Sequence, residues 1–543
     1  MADNLCDLDV PGTEQLVDVN HNLEAALADE NGGIVLIPQP TTAGLDPLTW
    51  SSPKKYYHLF LLALYACAFS YGENTLGAAW TTVSDDTGVS LTYMNGGSAL
   101  AYLLMGCFNL FWIPMALKIG RRPVLLASTI VFLSSAIWVG RFNGTAQWML
   151  SMVLNGIGCA PYQSVIQLSI FDMFYVHERG RMLSFYLFGQ QLGSILGLIT
   201  GGSIADGPGW RWAQYIVTII NGGVLLILFF SFEETLFPRF LFDKISGVPP
   251  PSDPVLESKL KDIKDPTDTL AATESTNDGE FDDHELAARF PKRTYLQKLK
   301  LWVYYPENQT SFWQYFLRPF YLFLFPNVVI AGIIFAFGCT AGIVSFNTVS
   351  EILTEAPYSW STTSTGLVFL AGLVGSFVGW ATGVLSDYIV IFLARRNRGV
   401  KEPEMRLWAL CFCFLYAAVG YQIYGWGAEF GKHWMTVAFG IGCMIAHQVS
   451  ACSIATTYAM DCFPGIGGEL VVVLAICSSC INFAFSYSVQ PFIETAGYGY
   501  TFLFFGLCVL GSMVAAIPTY IFGKRWRRIA APRWRKWLEE TQE

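Results

Sequence analysis

Charged side chains are scarce in this chain of 543 residues: 14% are Asp, Glu, Lys or Arg, whereas 53% are hydrophobic. A soluble domain cannot bury so much apolar surface in one core, so the composition excludes that class of protein. The formal net charge is −9, but the acids gather in the N-terminal tail and a central loop while the bases flank apolar runs. The net charge therefore indicates no charged ligand, and we expect no nucleic-acid partner.

Motifs for enzymatic or ATP-driven chemistry are also missing. No phosphate-binding G-x-x-x-x-G-K-[ST] occurs, which excludes an ATP-driven pump. The six histidines are scattered and no G-x-S-x-G is present, so we expect no enzyme, no metal and no cofactor. Cys477 and Cys480 form a C-x-x-C inside an apolar run without a partnering His or second pair, which favours plain packing.

Long hydrophobic runs dominate what is present. A bilayer-crossing helix needs roughly 20 apolar residues, and twelve runs are near or above that length. The predicted spans lie near 57–80, 91–117, 122–140, 146–173, 181–205, 213–232, 319–349, 364–393, 405–427, 433–461, 467–492 and 498–523. The sequence therefore predicts an all-α membrane protein with twelve transmembrane helices in the lipid bilayer.

The basic residues at the helix ends predict the orientation. One side holds most of them, including Lys54, Lys118, Arg121, Arg122, Arg179, Arg395, Arg396 and Arg406. The opposite side holds Arg141, Arg211 and Lys432. Because Lys and Arg are retained on the cytoplasmic side, both termini are predicted to be cytoplasmic.

Composition divides the chain into five parts. Residues 1–55 are predicted to be a disordered cytoplasmic tail and residues 524–543 a second cytoplasmic tail. Two six-helix bundles, 56–232 and 319–523, flank a cytoplasmic loop at 233–318 whose polar centre lacks the apolar residues needed to fold. The end of that loop, residues 290–302, mixes basic and apolar residues and fits either a headgroup-layer segment or a solvated linker.

The two bundles resemble each other in sequence. Span four carries Gly-Ile-Gly-Cys at 156–159 and span ten carries the same four residues at 440–443, each after a basic turn. Membrane transporters are commonly built from such repeats, with the site between them. Glycines at four-residue spacing also favour close helix packing between the halves: Gly193, Gly197 and Gly201 on span five, and Gly375, Gly379 and Gly383 on span eight.

Several motifs together resemble the major facilitator superfamily, and within it the fungal drug:proton antiporter branch that includes polyamine and cation carriers. They are the turn from Trp112 to Val124 (WIPMALKIGRRPV), HERG at 177–180, GWRW at 209–212, GVLSD at 383–387, ARRN at 394–397 and EPE at 402–404. This resemblance implies two six-helix bundles with a central cavity lined by spans one, four, seven and ten. The chain departs from the family pattern at Leu117, Met152 and Leu198, where an Asp, an Arg and a Pro are usual.

The basic turns are candidates for a gate. Gly120, Arg121 and Arg122 form one turn, and Arg395 and Arg396 follow Gly383 and Asp387 in the other half. These arginines are placed to pair with carboxylates and helix ends and so to latch one conformation, although a pure topology signal is an equal alternative. A carboxylate at a membrane helix end favours the gating role for Asp387.

Ionisable and amide side chains inside the spans are the candidates for substrate and proton binding. The resemblance places Glu73, Gln163, Gln167, Asn347 and His447 around the cavity, with Asn74 beside Glu73. A carboxylate in that position suits a proton or a cation, whereas a structural hydrogen-bonded acid is the alternative. For His447, proton binding and a buried neutral imidazole are equally favoured.

These observations predict a monomeric secondary active transporter of a small organic molecule, such as a drug-like compound or secondary metabolite. Efflux driven by the proton gradient across the plasma membrane is the favoured form. Uptake of a polyamine or other organic cation is the first alternative. A receptor or sensor of the same fold is the second, because one fold can host several functions.

Overall fold

The computed structural model describes residues 10–16, 36–38, 40–41, 43–239, 290–291, 294–303, 305, 310–354 and 357–542, and the described part is almost entirely helical. The helices are α1 Ser52–Asn74, α2 Trp80–Thr87, α3 Leu91–Ile119, α4 Arg121–Val139, α5 Thr145–Met173, α6 Arg179–Asp206, α7 Trp210–Ser231, α8 Tyr295–Lys298, α9 Phe312–Leu322, α10 Pro326–Thr354, α11 Thr362–Val368, α12 Leu370–Arg396, α13 Leu410–Glu429, α14 Trp434–Cys462, α15 Gly467–Val514 and α16 Ala516–Gln542. Two short strands, β1 Glu14–Gln15 and β2 Val400–Lys401, pair antiparallel.

Within the described residues, nine helices or helical runs are long and apolar enough to cross a membrane. This finding confirms the prediction of an all-helical protein that crosses the membrane several times. The number of twelve spans and the cytoplasmic location of the termini stay predictions. The nine do not include α1 and α5, which contain Glu73 and the pair Gln163 and Gln167. Polar side chains lower the hydropathy of a helix, and they are tolerated where a neighbouring helix or a cavity covers them.

One helical run covers residues 467–540, where the sequence predicts two spans and a tail. Gly497 interrupts α15 with a φ of 79°, a conformation that favours glycine because a Cβ would be strained there. This break lies in the gap between the predicted spans 467–492 and 498–523. α16 then continues well past residue 523, the predicted end of the last span.

The same pairs of helices pack together in both halves. In the first half α1 packs on α6 and α3 on α5, and in the second half α10 packs on α15 and α12 on α14. Across the interface between the halves, α3 packs on α15 and α6 on α12. The repeat predicted from the two Gly-Ile-Gly-Cys motifs is thus matched by equivalent packing.

The glycine trios pack closely, but mostly within a half rather than between halves. A Cβ at Gly193 or Gly197 would collide with carbonyl oxygens of α1, and one at Gly201 with that of Thr75, the residue after α1. On α12, Gly375 and Gly379 contact α14 in the same way. Gly383 differs, because its added Cβ would collide with Ser184 Oγ of the other half. Sequence spacing identifies a smooth helix face, but it does not say which neighbour uses that face.

We call the end of the molecule that holds Arg121, Arg179 and Arg406 the basic end. Described parts of the N-terminal tail lie there, and so does the second half of α16: Arg527 donates to Thr13 Oγ1 at 3.2 Å. A tail predicted to be disordered over 1–55 therefore contains ordered segments at 10–16 and 43–50, where apolar side chains such as Val10, Leu16 and Leu48 are buried. Most of the predicted flexible loop, 240–289, lies outside the described residues.

The end of the central loop is helical. Tyr295–Lys298 forms α8, and Arg122 donates to the carbonyl of Lys300 at 2.9 Å, which holds this segment against the basic end. The predicted seventh span begins later than residue 319, because α9 and α10 are separate helices that end at Leu322 and begin at Pro326. α9 exposes Trp313, Leu317 and Phe320, as expected of a helix that lies along a membrane surface.

Candidate functional site

A central pocket lies between the two halves. In this conformation the pocket is narrow, with room for little more than one water molecule. The first half contributes Gln163 from α5 and Tyr186, Leu187, Gln190 and Gln191 from α6; the second half contributes Phe335 and Cys339 from α10 and Gln448, Val449 and Cys452 from α14. Four amide side chains in an otherwise apolar wall suit a small organic ligand that also has polar groups.

Glu73 connects to this pocket through one tyrosine. Tyr162 Oη on α5 donates to Glu73 Oε2 at 2.8 Å. The same hydroxyl accepts from the amide nitrogens of Gln163 and Gln190, at 3.3 Å each. A change in the protonation of Glu73 would therefore alter the hydrogen bonding of two side chains of the pocket wall, Gln163 and Gln190, although Glu73 itself does not line the pocket.

Asn74 and Gln167 occupy other positions. Asn74 Nδ2 donates to Ser70 O at 2.9 Å and to Ser194 Oγ at 3.2 Å, so it links α1 to α6. Gln167 is buried one turn beyond Gln163 and does not line the pocket. Asn347 lies within α10, and its side chain is outside the described part of the chain.

His447 is fully buried and does not line the pocket either. Its ring faces the main chain of Phe337 and Cys413, on α10 and α13. The next residue, Gln448, faces the pocket instead, because consecutive side chains on an α-helix point about 100° apart. The structure thus brings Glu73, Tyr162 and Gln163 together and leaves Asn74, Gln167 and His447 outside the pocket lining.

The sequence interpretation missed the contribution of span five. Tyr186, Gln190 and Gln191 lie on α6, whereas the resemblance placed spans one, four, seven and ten around the cavity. A signal was available: Gln190 and Gln191 are adjacent amides inside an apolar helix, between Gly189 and Gly193. Polar pairs in such a helix face protein or water rather than lipid.

Asp387 joins the two halves at the basic end. Its Oδ2 accepts from the main-chain N–H of Arg181 at 2.7 Å, in the first turn of α6. Its Oδ1 accepts from Arg406 Nη1, also at 2.7 Å. A carboxylate at a helix N-terminus meets unpaired N–H groups and the positive end of the helix dipole, which makes this contact favourable.

Arg395 and Arg396 are not the partners of Asp387. Both are exposed at the end of α12, and Arg396 lies over the Phe392 ring at 6.0 Å. Arg406 occupies that role because the short 3₁₀ helix Pro403–Ala409 turns back beneath α12. The sequence interpretation singled out this carboxylate but expected the arginines nearest to it in the chain as its partners.

The equivalent turn of the first half uses a different carboxylate. Gly120, with a φ of 112°, brings the N–H groups of Arg121 and Arg122 to the two oxygens of Glu234, at 2.8 and 3.0 Å. Arg121 Nε also pairs with Asp172 at 3.1 Å. These contacts lie within the first half, so this turn fastens the ends of α3, α5 and α7 to one another.

Leu117 stands where the family pattern has an Asp. Its side chain lies against Gly468, in the first turn of α15. This is the counterpart of the Asp387 contact with the first turn of α6, but without a charge. The closure between the halves at the basic end is therefore polar on one side and apolar on the other. Ser184 and Ser453 add a hydrogen bond of 2.8 Å on the polar side.

Comparisons with known proteins agree with this architecture. A family model described as Major Facilitator Superfamily matches residues 62–469. Protein HOL1 of Saccharomyces cerevisiae is 27% identical, over 97% of this chain and 96% of its own length. An uncharacterised MFS-type transporter of Schizosaccharomyces pombe is 26% identical, over 98% of this chain and 94% of its own.

A solved structure shows the same fold. The proton:xylose symporter XylE aligns with a TM-score of 0.56 at 15% identity, over 87% of this chain and 96% of XylE. The family model matches most of the chain, and members of this superfamily are transporters rather than enzymes. The chain therefore belongs to the Major Facilitator Superfamily, as a multi-pass membrane transporter of an organic substrate.

Proposed function

We propose that the protein is a proton-coupled secondary transporter that exports a small organic molecule across the plasma membrane by alternating access. The observation that carries this proposal is the hydrogen-bonded connection from Glu73 through Tyr162 to Gln163 and Gln190 of the central pocket. It gives a proton-accepting group a direct influence on the substrate-facing wall. Asp387, Arg181 and the serine pair then serve as the gate at the predicted cytoplasmic side.

The coupling follows from the two protonation states of Glu73. As a carboxylate, Glu73 is a strong acceptor that holds the Tyr162 hydroxyl. A protonated Glu73 releases that hydroxyl, which then rearranges its bonds to the glutamines and changes the affinity of the pocket. An exchanger needs this reciprocity, because each ligand must change the free energy of binding of the other.

The experiment compares cells with and without the protein. A labelled hydrophobic dye is expected to accumulate less in cells that contain it, and a protonophore is expected to abolish the difference. Glu73→Gln should remove the proton dependence while leaving the amount of folded protein unchanged. Asp85→Asn, at an exposed acid of the outer α2 segment, is the matched control. Unchanged proton dependence in Glu73→Gln would contradict the proposal.

One observation favours a second candidate, uptake of a polyamine or other organic cation. Within the described residues, Gln191 Oε1 and Gln448 Oε1 are buried without a hydrogen-bond donor, and both residues line the pocket. Unpaired acceptors in the pocket wall favour a ligand rich in N–H donors. Labelled spermidine separates the two candidates: higher spermidine content in cells that contain the protein would support uptake and contradict export.

A further inference from the structure

Residues 10–16 pack into the basic end. Val10 and Leu16 are almost fully buried, with 3% and 1% of their surfaces exposed. Leu16 packs against Val390 and Ala394 near the end of α12. Burial of both ends anchors this stretch of the tail, although it lies far from any span in sequence.

Main-chain pairing sets the register of the segment. Glu14 lies opposite Lys401 and Gln15 opposite Val400 in the two-stranded sheet. The N–H of Leu16 donates to Gly399 O at 2.9 Å, which extends the pairing by one residue. An extended peptide that adds a strand to an exposed edge is a common mode of peptide recognition. Here the edge belongs to the loop between α12 and α13.

Two further contacts fix Pro11, Gly12 and Thr13. Arg527 of α16 donates to Pro11 O and to Thr13 Oγ1, while a bidentate pair with Glu404 holds its guanidinium in place at 2.9 and 2.6 Å. Gly12 has a φ of 77°, and a Cβ there would collide with Asp461 O at the end of α14. Position 12 therefore accepts only glycine in this arrangement.

The segment covers the ion pairs behind the gate. Asp461 pairs with Lys401 at 2.9 Å and with Arg406 Nε at 3.4 Å. Arg406 in turn pairs with Asp387, which contacts the first turn of α6 in the other half. Burial raises the pKa of Glu14. The positive charge of Lys401 opposes that rise, and so does the charge of Arg179, which belongs to the first half. The segment thus closes over a network that both halves share.

We propose that residues 10–16 are a clasp that holds the basic end closed and must leave its groove before that end opens. The clasp is an autoinhibitory strand of the chain itself, bound by strand addition at residues 399–401 and by Arg527. The inference extends the proposed alternating-access function, since it assumes that the halves separate at this end. It does not depend on the substrate, the direction of transport or the proton.

The test measures access to the gate rather than transport. Ser453→Cys places a reporter thiol at the contact with Ser184, and inside-out vesicles are labelled with a membrane-impermeant maleimide, with the labelling of the parent chain subtracted. Deletion of residues 2–16 should raise the labelling rate on the order of tenfold, through loss of several hydrogen bonds and two buried side chains. Deletion of residues 2–9 should leave it unchanged.

A second arm uses the full-length chain. Gly12→Val should raise labelling as the longer deletion does, and a peptide with the sequence of residues 8–18 should restore protection to the deleted protein. The same peptide with Gly12→Val should not. Equal labelling of both deletions, measured on folded monodisperse protein, would overturn the clasp. Labelling needs neither substrate nor a proton gradient. The clasp can therefore be tested even if the experiment on export gives a negative result.

Discussion

The carboxylate of Asp387 accepts a hydrogen bond from the N–H of Arg181 at 2.7 Å, and this bond crosses between the two halves of the transporter. Arg181 lies in the first turn of α6, whose side chains Tyr186, Gln190 and Gln191 line the central pocket further along. One helix therefore carries both a contact between the halves and a large part of the pocket wall. A movement of α6 that breaks this contact also displaces pocket residues, as the proposed alternating access requires.

Loss of the Asp387 charge should open the basic end. Asp387→Asn weakens charge-assisted hydrogen bonds to Arg181 and Arg406, which are worth about 1.5–3 kcal/mol each in general. We expect maleimide labelling of Ser184→Cys from the basic end to rise about tenfold or more. Arg395→Gln, a change at an exposed residue of the same helix, is the control and should label at the parental rate. Equal labelling of the two variants would exclude Asp387 from the gate.

Addition of a negative charge at Leu117, the apolar counterpart of Asp387, should favour the closed basic end. Leu117→Asp places a carboxylate against the first turn of α15, where an anion gains about 0.3–1 kcal/mol from the helix dipole. Glu469 of the same turn is already paired with Arg318 at 3.4 Å, which limits its repulsion of the new charge. We expect the closed basic end to be favoured and the labelling of Ser184→Cys to fall about two- to fivefold. Leu117→Asn has nearly the same shape without the charge, and it should label faster than the Asp variant. Identical rates in both would mean that the dipole does not act here.

The pocket residues of α6 should control substrate affinity, whereas His447 should not. Gln190→Leu removes the hydrogen bond to Tyr162 and one polar group of the wall, which should raise the KM for a transported dye about three- to tenfold. His447→Gln changes a side chain buried outside the pocket, so we expect a lower melting temperature with an unchanged KM. Dye transport at graded concentrations measures both. A raised KM in His447→Gln alone would reverse this assignment.

Glu233 should make the central-loop attachment dependent on pH. Burial raises the pKa of this carboxyl, but hydrogen bonds and charge from Lys54 and Lys298 outweigh it and hold the pKa below its ordinary value. A lowered pKa stabilises the attachment above the unfolded value of about 4.3, and that stabilisation is lost as the pH falls through the folded value. The bonds to Lys54 and Lys298 measure 2.7 and 2.9 Å.

Hydrogen exchange of residues 294–303 measures this attachment. Exchange should be slow at neutral pH and should accelerate, after correction for the intrinsic rate, only below the unfolded pKa of about 4.3. In Glu233→Gln the same residues should exchange fast at both neutral and acidic pH. Because these side chains are partly exposed to solvent, the effect on overall stability should be small. A pH-independent profile in the parent chain would contradict the role of Glu233.

Close packing of α6 on α1 should be sensitive to a single methyl group. Gly201→Ala would drive a Cβ into the carbonyl oxygen of Thr75, and overpacking of this kind costs about 1–3 kcal/mol. Gly222→Ala on α7 meets open space and should be neutral or slightly stabilising. The melting temperatures of the two purified variants provide the comparison. A melting temperature of Gly201→Ala equal to that of Gly222→Ala would show that α1 moves aside at no cost.

Two candidate residues of the site could be named from the sequence alone. Glu73 and Asp387 were identified because a charge inside or at the end of a membrane helix is costly unless it has a partner. The partners were not predictable: Tyr162 is 89 positions from Glu73, and Arg406 was passed over in favour of the nearer Arg395 and Arg396. Helix orientation decides such pairs, and the hydropathy of a run carries little information on orientation.

The sequence by itself determined the class of this protein. Apolar runs of membrane length with basic residues at their ends predict membrane-spanning helices, because a helix satisfies its own backbone hydrogen bonds in lipid. The repeated motif favours a transporter. Tertiary structure decided which side chains meet. In the folded protein Gln448 rather than His447 faces the pocket. The glycine trios pack mainly within each half, and residues 10–16 lie at the basic end. These outcomes depend on helix rotation and on contacts between distant segments, which the local pattern of residues does not encode.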